Sequence, residues 1–201
     1  MTRIGYGWVL AAVLALAGCG VTGGGNGPAQ ARALVPGTLS EAQVAAAPRV
    51  TAFRVEVPAS LRASEANTFY PFADLVWRGD PPGDRHAQVA ALFEEAARRA
   101  IAADLGGREA VAVARVERFH GVTERTRFSV GGVYSIRFTL LFVDPETGEP
   151  LAPPRVIRAD LPAPGGNAAV ELDRQGQTEK VRVTDHLAWT LGQEFLRPLT
   201  P

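Results

Sequence analysis

Apolar residues recur along this chain with two different periods, and the switches between them mark its elements. Thr51, Phe53, Val55 and Val57 alternate with Ala52, Arg54 and Glu56 before Pro58, the period of two that gives a strand one buried face. Val89, Leu92, Phe93, Ala96, Ala97, Ala100 and Ile101 then fall at steps of three and four, the stripe of an amphipathic helix. Asp84 stands where that helix needs a cap. Glu94 and Arg98, and Glu95 and Arg99, pair along its wet face, and Gly106-Gly107 lies past its end. Ala110 to Ala114 is apolar on both faces, as a central strand is. The clearest strand follows Gly131-Gly132, with Tyr134, Ile136, Phe138, Leu140 and Phe142 on one side. Ser135, Arg137 and Thr139 take the other side, joined by Leu141.

Asp144-Pro145-Glu146-Thr147-Gly148 is turn chemistry, and Arg155 to Ala159 can return as the second arm of a hairpin. Leu187, Ala188, Leu191 and Phe195 predict a closing helix that starts around Thr184 or Asp185 or earlier, and Ser40 to Ala45 a brief helical turn before Pro48. The order strand, helix, strand, strand, strand, helix predicts an α+β fold. It is a largely antiparallel sheet of about four strands with two helices packed on one face. The opposite face is only modestly apolar and is expected to be solvated or to meet a partner.

Between the first strand and the first long helix runs an irregular stretch, Ser60 to Asp84. A loop of that length inside a domain is often functional or packed on itself. Phe69, Tyr70, Phe72, Val76 and Trp77 are too apolar to extend into water, so the segment is expected to fold back over the core. Phe69, Tyr70, Phe72, Trp77, Arg78 and Asp80 are its candidate partner- or ligand-binding residues.

The N-terminus changes the picture. Arg3 precedes an apolar run from Ile4 to Leu16, and Ala17-Gly18 leads into Cys19, the chain's one cysteine. A cationic start, a short apolar segment and a small-residue site make a secretory signal. A thiol at the cleavage point is the side chain able to take lipid as a thioether. The pattern resembles a bacterial lipoprotein signal, which implies cleavage after residue 18, palmitate-type acylation at Cys19 and a membrane anchor. Residues 1–18 are then the signal, 19–47 a lipidated N-terminus and linker, and 48–201 a single α+β domain. Gly20, Gly23, Gly24, Gly25 and Gly27 give the start of that linker the composition of a flexible coil. An uncleaved membrane helix and an ordinary cleaved signal are the competing readings. Glycine, not aspartate, follows the cysteine, which by resemblance to Gram-negative lipoproteins implies the outer membrane and its periplasmic face.

Basic and acidic residues balance at 21 each, so charge offers no argument for nucleic acid as a partner. Lys180 is the only lysine; the arginine bias fits a GC-rich genome as well as anion recognition. With no cysteine after position 19, no disulfide can staple the domain and no thiolate zinc site can form. His86, His120 and His186 are far apart in sequence, so no metal or other cofactor is expected.

Ser64-Glu65-Ala66-Asn67, Ala73 to Asp80 and Gly83 to Val89 resemble a group of small alphaproteobacterial envelope lipoproteins of unknown function, across about Val50 to Phe195. Gly131-Gly132 and the strand ending in Val143-Asp144-Pro145-Glu146-Thr147-Gly148-Glu149 are similar to other envelope lipoproteins that end a hairpin in Asp-x-x-Thr-Gly. Neither resemblance implies catalytic residues.

Asp80, Asp84 and His86 could serve a hydrolase, but no nucleophile stands at a recognisable spacing and Asp84 has a simpler task as helix cap. Arg78-Gly79-Asp80 as an adhesion tripeptide is a chance match. The expectation is therefore not an enzyme but an accessory, protein-binding lipoprotein of the envelope, held to the membrane at Cys19, with an envelope protein as partner. A small-molecule or lipid-binding auxiliary of a transport system is the second reading, and an envelope hydrolase the remote one.

Overall fold

Burial of one sheet face beneath two helices organises the chain. The structure is a computed structural model that describes residues 40–101 and 107–200; Cys19, the expected signal at 1–18 and the glycine-rich start of the expected linker lie outside the described residues. The fold is α+β, with strands β1 (Arg49–Glu56), β2 (Leu75–Val76), β3 (Glu109–His120), β4 (Gly132–Val143), β5 (Arg155–Arg158) and β6 (Leu161–Ala163). The helices are α1 (Glu41–Ala46), α2 (Arg85–Ala100), α3 (Glu124–Arg127), α4 (Asn167–Arg174) and α5 (Glu179–Phe195). The main sheet order is β1-β3-β4-β5, with β2 extending the β1 side and β6 pairing the start of β4. β3–β4, β4–β5 and β4–β6 are antiparallel, while β1 and β2 run parallel to β3. A parallel pair needs a crossover, and α2 provides it between β1 and β3.

The four expected strands and two expected helices form the body of the fold. The helical turn expected at Ser40 to Ala45 forms as α1, and the structure adds two short strands and two short helices, which the apolar period is too brief to reveal. Two boundaries also move. β3 runs on to His120 past a bulge between Val116 and Arg118, which breaks the alternation that would have announced it. α5 begins at Glu179, where the Thr178 hydroxyl accepts from the Val181 amide. Asp84 caps α2 as expected, accepting from the amides of His86 and Ala87.

The core lies between α2, α5 and the facing side of the sheet. Val89, Leu92, Phe93, Ala96, Val183, Leu187 and Leu191 meet Ala112, Ala114, Val116, Ile136, Phe138 and Leu140, all essentially buried. Four aromatic rings run through it edge to face: Trp77 on Phe119 at 5.6 Å, Phe119 on Phe93 at 6.3 Å, and Phe93 on Phe138 at 5.1 Å. Each such pair contributes roughly 0.5–1.5 kcal/mol beyond the area it buries.

Phe93→Ala therefore lowers unfolding free energy by about 3–5 kcal/mol, read from the urea midpoint. Val156→Ala, on the solvent side of the same sheet, changes it by less than about 0.5 kcal/mol.

Candidate functional site

Trp77 decides how the long segment from residue 60 to 84 is laid down. Its ring is fully buried, so its indole N–H needs an internal acceptor and donates to Asp80 Oδ2 at 2.7 Å. The other Asp80 oxygen pairs with Lys180 Nζ of α5 at 2.6 Å, and these two donors hold the Asp80 carboxyl below the usual carboxylate range against the opposing effect of burial. Gly79 sits against the indole; any Cβ there would collide with the ring. Upstream, Glu65 receives buried Arg85 through two parallel hydrogen bonds, Nε to Oε1 at 2.7 Å and Nη2 to Oε2 at 3.0 Å. Arg78 pairs with Glu65 and, at 3.4 Å, with Glu124. The Arg85 guanidinium keeps the Glu65 carboxyl below its ordinary range. Asn67 Oδ1 accepts from the Arg125 amide at 2.8 Å. These clasps pin both flanks of the segment.

Between the clasps the aromatic tip turns outward. Phe69, Tyr70 and Phe72 are 51, 68 and 87% exposed. Each meets an arginine: Arg125 lies over Phe69 with 4.5 Å to the ring centre, Arg62 over Phe72 at 4.8 Å, and Arg118 donates to the Tyr70 hydroxyl at 2.7 Å. Tyr70 also stacks on His120 at 4.4 Å, and His120 Nε2 lies 2.9 Å from the Pro71 carbonyl. Of the six residues singled out in the sequence, then, Phe69, Tyr70 and Phe72 gather at the surface. Trp77, Arg78 and Asp80 face inward and hold the segment in place.

The tip opens onto the sheet face that no helix covers among the described residues. Arg118 stands directly opposite Arg137, and Arg137 opposite Arg158, so three arginines form one row across β3, β4 and β5. Their neighbours Phe119, Phe138 and Ile157 point into the core, which places the three guanidinium stems on the open side. Glu117 lies beside the row, accepting from the Thr139 hydroxyl at 2.6 Å and standing 3.0 Å from Arg137 Nε. That carboxylate is out of line with the Nε–H, which is shut off from water and makes no hydrogen bond. Towards the other end of β3 the same face carries Val111, Val113, Leu141 and Val143 beside Pro150 to Pro154. Sequence reasoning passed over Arg62, Arg118, Arg125 and Arg158, because only strand register and the folded loop bring them to one surface.

The hydrolytic candidates are engaged elsewhere: Asp84 caps α2 and stands 4.0 Å from His86 Nδ1, Asp80 holds Trp77 and Lys180, and His86 Nε2 lies 3.0 Å from the Leu61 carbonyl. Among the described residues no three His, Cys, Asp or Glu side chains are grouped to hold a metal ion, and no helix is long and apolar enough to cross a membrane. A separate buried pair joins Tyr134 to Glu179, with Arg127 Nε 3.7 Å from the carboxylate. Burial pushes the Glu179 carboxyl above its ordinary range, outweighing Tyr134 and Arg127, and pushes the Tyr134 phenol up as well.

The model of a family of unknown function, DUF6778, matches residues 48–200. No curated protein matches. Among solved structures, a candidate lipoprotein from Caulobacter crescentus CB15 is 13% identical with a TM-score of 0.33, over 78% of this chain and 92% of that one. XCC0632 from Xanthomonas campestris, of the DUF330 family, is 12% identical with a TM-score of 0.39, over 75% and 89%. A dodecamer of a PelC variant from Paraburkholderia phytofirmans is 13% identical with a TM-score of 0.35, over 77% and 92%. At such identities and TM-scores no functional argument rests on them.

Glu179 gives a pH test. A carboxyl whose folded pKa is raised supports stability fully below its ordinary value of 4.5. That support declines as pH rises past 4.5 towards the folded value, because only the unfolded chain ionises freely there. Urea midpoints across that window should fall for the wild type relative to Glu179→Gln, which keeps an acceptor for Tyr134 without the charge. Parallel profiles would contradict the assignment.

Proposed function

This chain belongs to the DUF6778 family of unknown function, and from its own residues we propose that it is a non-catalytic accessory lipoprotein that binds another envelope protein. The reading rests most on one observation: exposed Phe69, Tyr70 and Phe72, each attended by an arginine, continue into an uncovered sheet face. Monomeric domains rarely leave a contiguous apolar surface without use, and Tyr, Phe and Arg are the side chains enriched at protein interfaces. The enclosed cavity lined by Arg127, Tyr134, Glu179 and Arg182 has about 10 Å³, room for one water, while a shallow hollow of about 620 Å³ beside Leu141 and Pro150 to Pro154 lies open on the sheet face itself.

The anchor part of the proposal rests on the Leu16-Ala17-Gly18-Cys19 sequence, with acyl chains at Cys19 holding the protein to the outer membrane on its periplasmic side. One acyl chain anchors marginally, and two or more hold durably.

Labelled palmitate should enter the wild type and not Cys19→Ser. In intact cells a photo-crosslinking residue at position 72 should capture one dominant envelope protein that the same residue at position 174 does not. Absence of label contradicts the anchor, and recovery of free monomer alone contradicts the docking role.

A further inference from the structure

The row Arg118–Arg137–Arg158 breaks a rule of sheet construction. Like charges directly opposite one another destabilise strand pairing, yet here two successive cross-strand pairs are arginine on arginine. One carboxylate, Glu117, stands among the three, and it is shared with Thr139 and misaligned with Arg137 Nε–H. Arg118 and Arg158 have no carboxylate within salt-bridge distance among the described residues; Arg118 instead holds Tyr70. Where local rules are broken without an internal compensation, function is the usual cause.

We infer that this row is the docking site for an acidic polypeptide segment that brings two or three closely spaced carboxylates. The inference rests on the reading that the open face binds a protein, and it names the chemistry of that partner's contact. Guanidinium groups are planar forks that take carboxylates through paired hydrogen bonds. Strands lie about 4.8 Å apart, so the row spans about 10 Å, and carboxylates two residues apart on an extended chain are separated by roughly 7 Å. Two such groups reach all three guanidiniums. Tyr70, tied to Arg118, joins the row to Phe69 and Phe72, so the charged contact and the apolar one form a single surface of the side chains that dominate interface hot spots. An anionic bilayer fits less well, because Glu56 and Glu117 sit on the same face as the arginines and would be pressed against its phosphates.

The test is fluorescence polarisation of the purified full-length protein with a short fluorescein-labelled peptide of alternating glutamate and serine, beside its glutamine counterpart. The acidic peptide should bind and the neutral one should not. Added salt should weaken binding, and Arg137→Gln with Arg158→Gln should weaken it about tenfold or more. Arg158→Gln alone, at an exposed position, should weaken it without affecting folding, and Arg174→Gln on α4 should bind as the wild type. No binding, equal binding by the double variant, or preference for phosphatidylglycerol vesicles over the peptide overturns the inference. If the peptide fails while crosslinking from position 72 persists in cells, the acidic segment is wrong and protein docking stands. If both fail, docking falls with it.

Discussion

Trp77 is the side chain on which the arrangement depends. Drawing a large ring into the core gives a hydrophobic gain, but its N–H cannot be left unpaired there. Asp80 supplies the acceptor, and in doing so takes Lys180 from α5. One buried ring thus ties the long segment to the sheet through Phe119, which in turn meets Phe93 of α2, and to α5 through a carboxylate. With both flanks of the segment fixed in this way, its remaining aromatic residues have no inward position left. They stand at the surface because Trp77 does not.

A sheet with helices on one side has to resolve its other side. Here the two halves of the open face do so differently. Near the chain's entry it is valine and leucine beside a proline-rich connection, and near the aromatic tip it is a band of arginine. The ordinary resolution would be alternating charge, and the far side of α2 shows it: Arg99 pairs with Glu95 and Asp185. The open face uses that solution in part, Glu56 with Arg115 and Glu117 with Arg137, but among the described residues it leaves Arg118 and Arg158 with no carboxylate within salt-bridge distance. That contrast within one molecule is why the row reads as prepared for an outside anion.

Much of the body was legible in the sequence. The stripe from Val89 to Ile101, the alternation from Tyr134 to Phe142 and the cap at Asp84 each act over a few residues, and local period is what a sequence displays. β3 beyond Ala114 was not legible, since Arg115, Glu117 and Arg118 interrupt the apolar pattern and a bulge shifts its phase. The site divided the same way. Composition placed the whole apolar stretch from Phe69 to Trp77 over the core, and the structure corrects this: Val76 and Trp77 go inward, while Phe69, Tyr70 and Phe72 stand exposed, held there by arginines that the local sequence does not announce. Asp80 being an indole acceptor three residues from Trp77 would have been a usable hint. The arginine row had no sequence signal at all: residues 118, 137 and 158 meet only through the register of three strands.

Chemical accessibility tests most directly the claim that one sheet face is filled from within and the other kept for a partner. Phenylglyoxal labelling followed by peptide mass spectrometry reports the rate at which each arginine reacts. Arg158 should react readily in the purified domain and several-fold more slowly in intact cells, while Arg174 reacts alike in both. Equal reactivity of Arg158 in the two settings would mean that nothing covers this face where the protein works, and the account would fail.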